Sequence, residues 1–195
     1  MSKKLLALFI LLTLLFSFSA CGEQAEPNSA ALKERYQDLL KDLELNYEGD
    51  PVAIIETSKG TFVFELFQNQ VPQTVENFIK LADSGFYDGL KWHLVVPGVK
   101  IQTGDPSGIG TGSSNTAPIP LETHPDLKHD KVGMVGMARY ENDLNSATSQ
   151  FYITLDAEAE WDRKYAVFGQ VLKGIETLGA IERGDLISSI AVIRS

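Results

Sequence analysis

The chain of 195 residues is predicted to be mainly β: a closed, eight-stranded antiparallel barrel capped by two helices, with one extra helix in front. Two observations carry this expectation. Eight short apolar runs follow residue 51, and only two stretches among them have the apolar spacing of a helix, a combination that suits a barrel with helices over its ends. The length from residue 51 onward is also that of one compact core.

The first residues stand apart from that core. Lys3 and Lys4 precede an apolar run from Leu5 to Phe18, which ends in Ser19-Ala20-Cys21-Gly22. A basic start, a short apolar stretch and small residues at a cut site describe a secretory signal. The run is shorter than the ~20 residues of a spanning helix. The single cysteine directly after the small pair resembles a bacterial lipoprotein signal. Residues 1–20 are then the signal peptide, and Cys21 is the lipidated first residue of the mature chain. An ordinary signal peptide is the simpler alternative. With Cys21 lipidated, no thiol is left for a disulfide.

Residues 21–50 are expected to form a tether and an amphipathic helix. Gly22 to Asn28 is small and polar, and Ser29 can cap a helix running to about Leu45. Leu32, Tyr36, Leu39, Leu40 and Leu43 would share one face of it. Packing on the domain surface is the plain expectation for this helix, and partner binding the other.

The compact domain covers residues 51–195. Val52–Glu56 and Thr61–Phe67 flank a turn at Thr57-Ser58-Lys59-Gly60. Phe62, Phe64 and Leu66 alternate with Thr61, Val63 and Glu65, the pattern of a hairpin with one buried face. Pro72 opens a helix where no N–H is needed. Val75, Phe78, Ile79 and Ala82 form its apolar stripe, and Gly85 ends it. Further strands are expected at Trp92–Val96, Lys100–Thr103, Val132–Ala138, Gln150–Leu155 and Ala166–Val171. A helix near Gly174–Ile181 and a strand near Leu186–Ile193 close the chain.

Charge and motifs exclude several functions. The formal net charge is −9, and loss of Lys3 and Lys4 with the signal would take it to about −11. Such a surface repels phosphate backbones and anionic lipid, so no nucleic-acid partner is expected, and membrane attachment would rest on acyl chains. His93, His124 and His129 have no neighbouring ligands at metal spacing, so neither metal nor cofactor is expected. The Gly104–Gly112 stretch lacks the Gly-Lys-Ser/Thr of a phosphate loop and reads as an irregular surface loop. No serine lies in a nucleophile turn.

Motifs in a fixed order give a sharper indication. Val71-Pro72-Gln73-Thr74-Val75-Glu76-Asn77-Phe78, Gly85-Phe86-Tyr87-Asp88-Gly89, Pro97-Gly98, Gln102, Gly104-Asp105 and Gly110-Thr111-Gly112 come first. Gly133, Met137-Ala138, Ser149-Gln150-Phe151 and Val167-Phe168-Gly169-Gln170-Val171 follow. From Val52 to Ile193 the chain resembles the cyclophilins, peptidyl-prolyl isomerases built as an eight-stranded barrel with two helices.

The resemblance implies a groove for proline-containing peptides. Gln102 and Gln150 match the family glutamines, and Ala138 matches a position that gives backbone contacts. Tyr152 stands where the proline pocket usually has Phe. Trp161 falls on or beside a pocket position, and Tyr165 replaces the usual His at the rim. Val99 and Lys100 replace the usual Phe and Met. The main departure is Leu94, at the position of the catalytic arginine. Arg139 is the preferred substitute cation and Lys100 the other, while the plain reading of Arg139 is a solvent-facing loop residue. Two functions are therefore in view. One is a monomeric, lipid-anchored isomerase acting on proline segments of exported proteins, with reduced activity. The other is a non-catalytic peptide-binding or chaperone module. Nothing resembles the second lobe of a solute-binding lipoprotein.

Overall fold

The computed structural model describes residues 33–194. The signal segment, Cys21, the polar tether, Ser29 and Leu32 lie outside the described residues. Eight strands make one antiparallel sheet: β1 (Val52–Thr57), β2 (Gly60–Leu66), β3 (Leu94–Val96), β4 (Lys100–Thr103), β5 (Met134–Met137), β6 (Phe151–Thr154), β7 (Val167–Lys173) and β8 (Ile187–Ile193). Their order is β3-β4-β6-β5-β7-β2-β1-β8. The outer strands β3 and β8 share no ladder, so full closure is not seen. The two ends of the sheet meet just before these strands, through one isolated bridge between Lys91 and Leu186. The hydrogen bonds Trp92 N–H to Asp185 O and Gly184 N–H to Trp92 O flank it.

Helix α1 (Gln37–Leu40), α2 (Pro72–Asp83) and α3 (Ile175–Ala180) complete the regular structure, with a 3₁₀ turn at Ala159–Trp161. α2 starts with Pro72 in its first turn and buries Thr74, Val75, Phe78, Leu81 and Ala82. Phe78 is a hub: its ring lies 5.4–5.5 Å from those of Phe64, Tyr87, Phe151 and Phe168. Aromatic pairs at such distances add to what area burial alone supplies.

The front helix differs from expectation. Residues 33–35 are helical, the chain turns at Tyr36, and α1 stops at Leu40. Asp42 has φ 58, a left-handed conformation that a helix cannot include. Leu43 and Leu45 still pack on the barrel, beside Tyr36, Leu39 and Leu40, over Val52, Ile54, Val63 and Ile193. Two cross-links hold this strap. Lys173 Nζ donates to the carbonyls of Leu39, Asp38 and Lys41 at 3.0–3.4 Å, which satisfies the free end of α1. The fully buried Glu65 accepts from the Asn46 N–H at 2.8 Å and the Tyr47 N–H at 2.7 Å.

The strap also explains why β2 departs from its alternating pattern. Val63 and Glu65, expected on an open face, are both fully buried. Their face is covered by residues outside the hairpin, a relationship that local periodicity does not record.

Candidate active site

The wall built by β3, β4, β6 and β5 follows from strand geometry. Leu94 is paired with Gln102, Gln102 with Tyr152, and Tyr152 with Gly136. Partners across a ladder point to the same face, and residues two apart share it. Leu94, Lys100, Gln102 and Tyr152 therefore face the groove, while Ile101, Phe151 and Ile153 face the core, where each is fully buried. Gly136 makes room in this row. A Cβ there would lie 2.4 Å from both Cζ and Oη of Tyr152.

Polar side chains on the wall form a directed chain. Lys100 Nζ donates to Gln102 Oε1 at 2.7 Å, and Gln102 Nε2 donates to Gln150 Oε1 at 2.8 Å. Gln150 Nε2 then donates to the carbonyls of Gly112 at 2.7 Å and Gly110 at 3.1 Å. An ammonium can only donate and a carbonyl can only accept, so the two ends fix both amide orientations.

The loop that receives this chain is held by Asp105. Its carboxylate accepts from the Ser107 N–H and hydroxyl, each at 2.7 Å, and from the N–H groups of Ile109 and Gly110. Burial alone would raise the Asp105 pKa, but these hydrogen bonds outweigh it and hold it well below the usual carboxylate range. Gly112 is required where the loop closes, because a Cβ there would come within 2.0 Å of Asp105 Oδ1. The irregular surface loop read from the sequence thus has a defined use.

An aromatic corner lies beside the amides. Tyr152 and Trp161 meet edge to face at 5.2 Å, and Tyr165 stands 6.0 Å from Tyr152. Tyr152 Oη lies 2.8 Å from His129 Nε2, and His129 Nδ1 lies 3.1 Å from Asp162 Oδ1. The carboxylate only accepts, so Nδ1 carries the proton and Nε2 accepts from the phenol. Burial draws the pKa of His129 down, and Asp162 partly offsets this. The sequence reading treated His129 only as a non-ligand. Its role in holding Tyr152 has no local signal, because 23 residues separate the two.

Arg139 and Lys100, the two cations expected near Leu94, are placed very differently. Arg139 donates to the carbonyls of Lys164 and Tyr140 at 2.8 Å and of Glu141 at 3.0 Å. Its guanidinium lies 4.5 Å from the Tyr165 ring centroid. Arg139, the preferred substitute cation on the sequence alone, thus lines the cavity with its guanidinium turned onto backbone carbonyls and a ring. Lys100 is the cation that reaches Gln102, and its Nζ lies 5.2 and 5.5 Å from the ring centroids of Tyr152 and Trp161. Leu94 is 37% exposed on the edge strand. Val99 sits in the β3–β4 turn, and the Ala138 N–H is bonded to the Gln150 carbonyl at 2.9 Å.

On the amide side of this wall lies a cavity of about 300 Å³, lined by Gln102, Gly112, Ala138, Arg139, Thr148 and Gln150 among others, with Lys100, Tyr152 and Trp161 outside its lining. Among the described residues, no cluster of three or more His, Cys, Asp or Glu could hold a metal ion.

Known proteins share this architecture. Residues 52–192 match the family model for cyclophilin-type peptidyl-prolyl cis-trans isomerases. Peptidyl-prolyl cis-trans isomerase-like 1 of Neurospora crassa is 40% identical over 135 residues, 68% of this chain and 80% of that protein. Peptidylprolyl isomerase cyp7 of Schizosaccharomyces pombe is 44% identical over 122 residues, 62% of this chain. The match spans about a quarter of the length of that relative, 26%. A crystal structure of a Cryptosporidium parvum cyclophilin-type isomerase, solved in the presence of the dipeptide Ala-Pro, superposes with a TM-score of 0.69 at 33% identity. It covers 74% of this chain and 99% of its own. By sequence and by fold, this chain belongs to the cyclophilin-type peptidyl-prolyl cis-trans isomerase family.

Proposed function

We propose that the chain is a peptidyl-prolyl cis-trans isomerase in which Lys100 stands in for the arginine absent at Leu94. The observation that supports this is the 2.7 Å contact between Lys100 Nζ and Gln102 Oε1. It sets a cation beside the glutamine that in the family neighbours the arginine. Rotation about the bond before proline meets a barrier of ~18–20 kcal/mol, because amide resonance is lost on twisting. No bond is broken and no proton need move. A donor that meets the twisted amide better than either planar form lowers the barrier. Lys100 supplies that donor, Tyr152 and Trp161 supply apolar ring faces, and the fixed amides of Gln102 and Gln150 hold the peptide.

The clients on this reading are proline segments of exported proteins, and the protein is a lipid-anchored monomer. The support for export and the anchor is the run from Lys3 to Cys21 in the sequence, and a monomer is the default for this fold. Replacement of Cys21 by Ser should release the chain from membranes and remove the mass of the acyl groups.

A second reading has its own support. The replacement of the arginine by Leu94, and the seat of Lys100 against the rings of the pocket, favour a peptide-binding module without turnover. Exchange NMR of a short Ala-Pro peptide with the full chain, its Lys100→Met variant and its Leu94→Arg variant separates the two. Acceleration by the parent that disappears in Lys100→Met supports the first reading. Peptide shifts without acceleration, restored by Leu94→Arg, support the second.

A further inference from the structure

The Tyr152–Trp161 corner carries a cation of the chain's own. Lys100 Nζ stands against both rings, and a single hydrogen bond, to Gln102 Oε1, engages its three donors. Among the described residues no carboxylate lies within ion-pair distance of it. Arg139, the other cation of the site, is turned onto backbone carbonyls and the Tyr165 ring. A partly buried ammonium on a wall of rings and amides is a poorly compensated charge. Burial accordingly lowers the pKa of Lys100.

We propose that Lys100 reads a carboxylate, so that the groove selects proline segments bearing Asp or Glu next to the proline. This rests on the reading of the wall as a proline-peptide groove and is independent of its turnover. The chain as a whole is acidic, with a formal charge of −9, so long-range attraction does not favour such a segment. The selection is local. A carboxylate that draws the ammonium off the rings also clears the ring faces for the proline, which couples the two contacts.

The test is a shift titration of the isotope-labelled full chain with four capped peptides: Ala-Glu-Pro-Ala, Ala-Gln-Pro-Ala, Ala-Pro-Glu-Ala and Ala-Pro-Gln-Ala. One glutamate peptide should bind about tenfold more tightly than its glutamine counterpart at low salt, as a partly desolvated charge pair allows. The preference should fall to about equality in Lys100→Met and persist in Lys100→Arg, which keeps the charge and guards against a folding defect. Which glutamate peptide is preferred shows the side of the proline that faces Lys100. Equal affinities within both pairs for the parent, or a preference that survives Lys100→Met, would overturn the proposal. Exchange rates recorded on the same samples keep the two readings apart. A glutamate preference without acceleration removes the isomerase reading alone, and acceleration without a preference removes this one.

Discussion

Gly136 and Tyr152 face each other across β5 and β6, and the phenol ring fills the space that a side chain on Gly136 would take. A Cβ at that position would lie 2.4 Å from the Tyr152 hydroxyl oxygen. The ring is also held by the bond from its hydroxyl to His129. One glycine thus decides how the floor of the groove is laid.

Gly136→Ala should displace the Tyr152 ring and destabilise the fold by about 1–3 kcal/mol, the usual cost of overpacking. Urea unfolding measures the loss. Peptide affinity should fall with it, and an unchanged midpoint would show that the ring can move freely.

Tyr152→Phe keeps the ring face but leaves His129 Nε2 buried without a donor. The expected cost is about 1–3 kcal/mol, read by thermal unfolding at neutral pH. His129→Phe in the same background should recover part of it, because both polar ends are then gone.

Arg139→Ala should leave isomerisation within about twofold of the parent, because its guanidinium is engaged by three backbone carbonyls and the Tyr165 ring. Lys100→Met should lower the catalysed rate by ~10²-fold or more, in the range of other lost transition-state donors. Exchange NMR on one neutral peptide compares the pair directly. The reverse ranking would return the substitute role to Arg139.

The N-terminal strap should depend on Glu65. Glu65→Ala leaves the N–H groups of Asn46 and Tyr47 without their acceptor and is expected to cost about 3 kcal/mol. Hydrogen exchange should quicken across residues 36–47 before it does in the sheet. Unchanged protection there would mean that the apolar contacts of Tyr36, Leu39 and Leu40 hold the strap unaided.

Asp50 predicts a pH dependence. It is 3% exposed, neither carboxylate oxygen has a well-aligned partner, and Tyr47 and Glu65 are its neighbours. Burial first, and then the charge of Glu65, push its pKa up to about 6, with the Gln68 N–H offsetting little. A carboxyl raised in the folded state binds more protons there than in the unfolded chain. Its contribution is therefore favourable at low pH and is lost as pH rises from the usual carboxylate value through about 6. Asp50→Asn should stabilise the protein by about 1–2 kcal/mol at pH 7 and leave it nearly unchanged at pH 4. Unfolding curves at the two pH values decide it.

Much of the fold was legible in the chain itself. The hairpin pattern of Phe62, Phe64 and Leu66, the Pro72 helix start and the short apolar runs depend on contacts between near neighbours, which leave a period in the sequence. The ordered motifs likewise picked out Gln102, Gln150 and Tyr152, which the fold sets on one wall. The early end of the front helix was missed, because the left-handed turn at Asp42 interrupts an otherwise helical spacing.

What the sequence by itself determined is the family, the strands and the two helices of the domain. Tertiary structure alone decided which cation meets Gln102, that His129 holds Tyr152, and that Val63 and Glu65 lie under a strap. The physical reason is the same in each case. Those relationships join residues on different elements, and the direction of a long side chain such as Lys100 or Arg139 is set by acceptors and rings that only folding brings within reach.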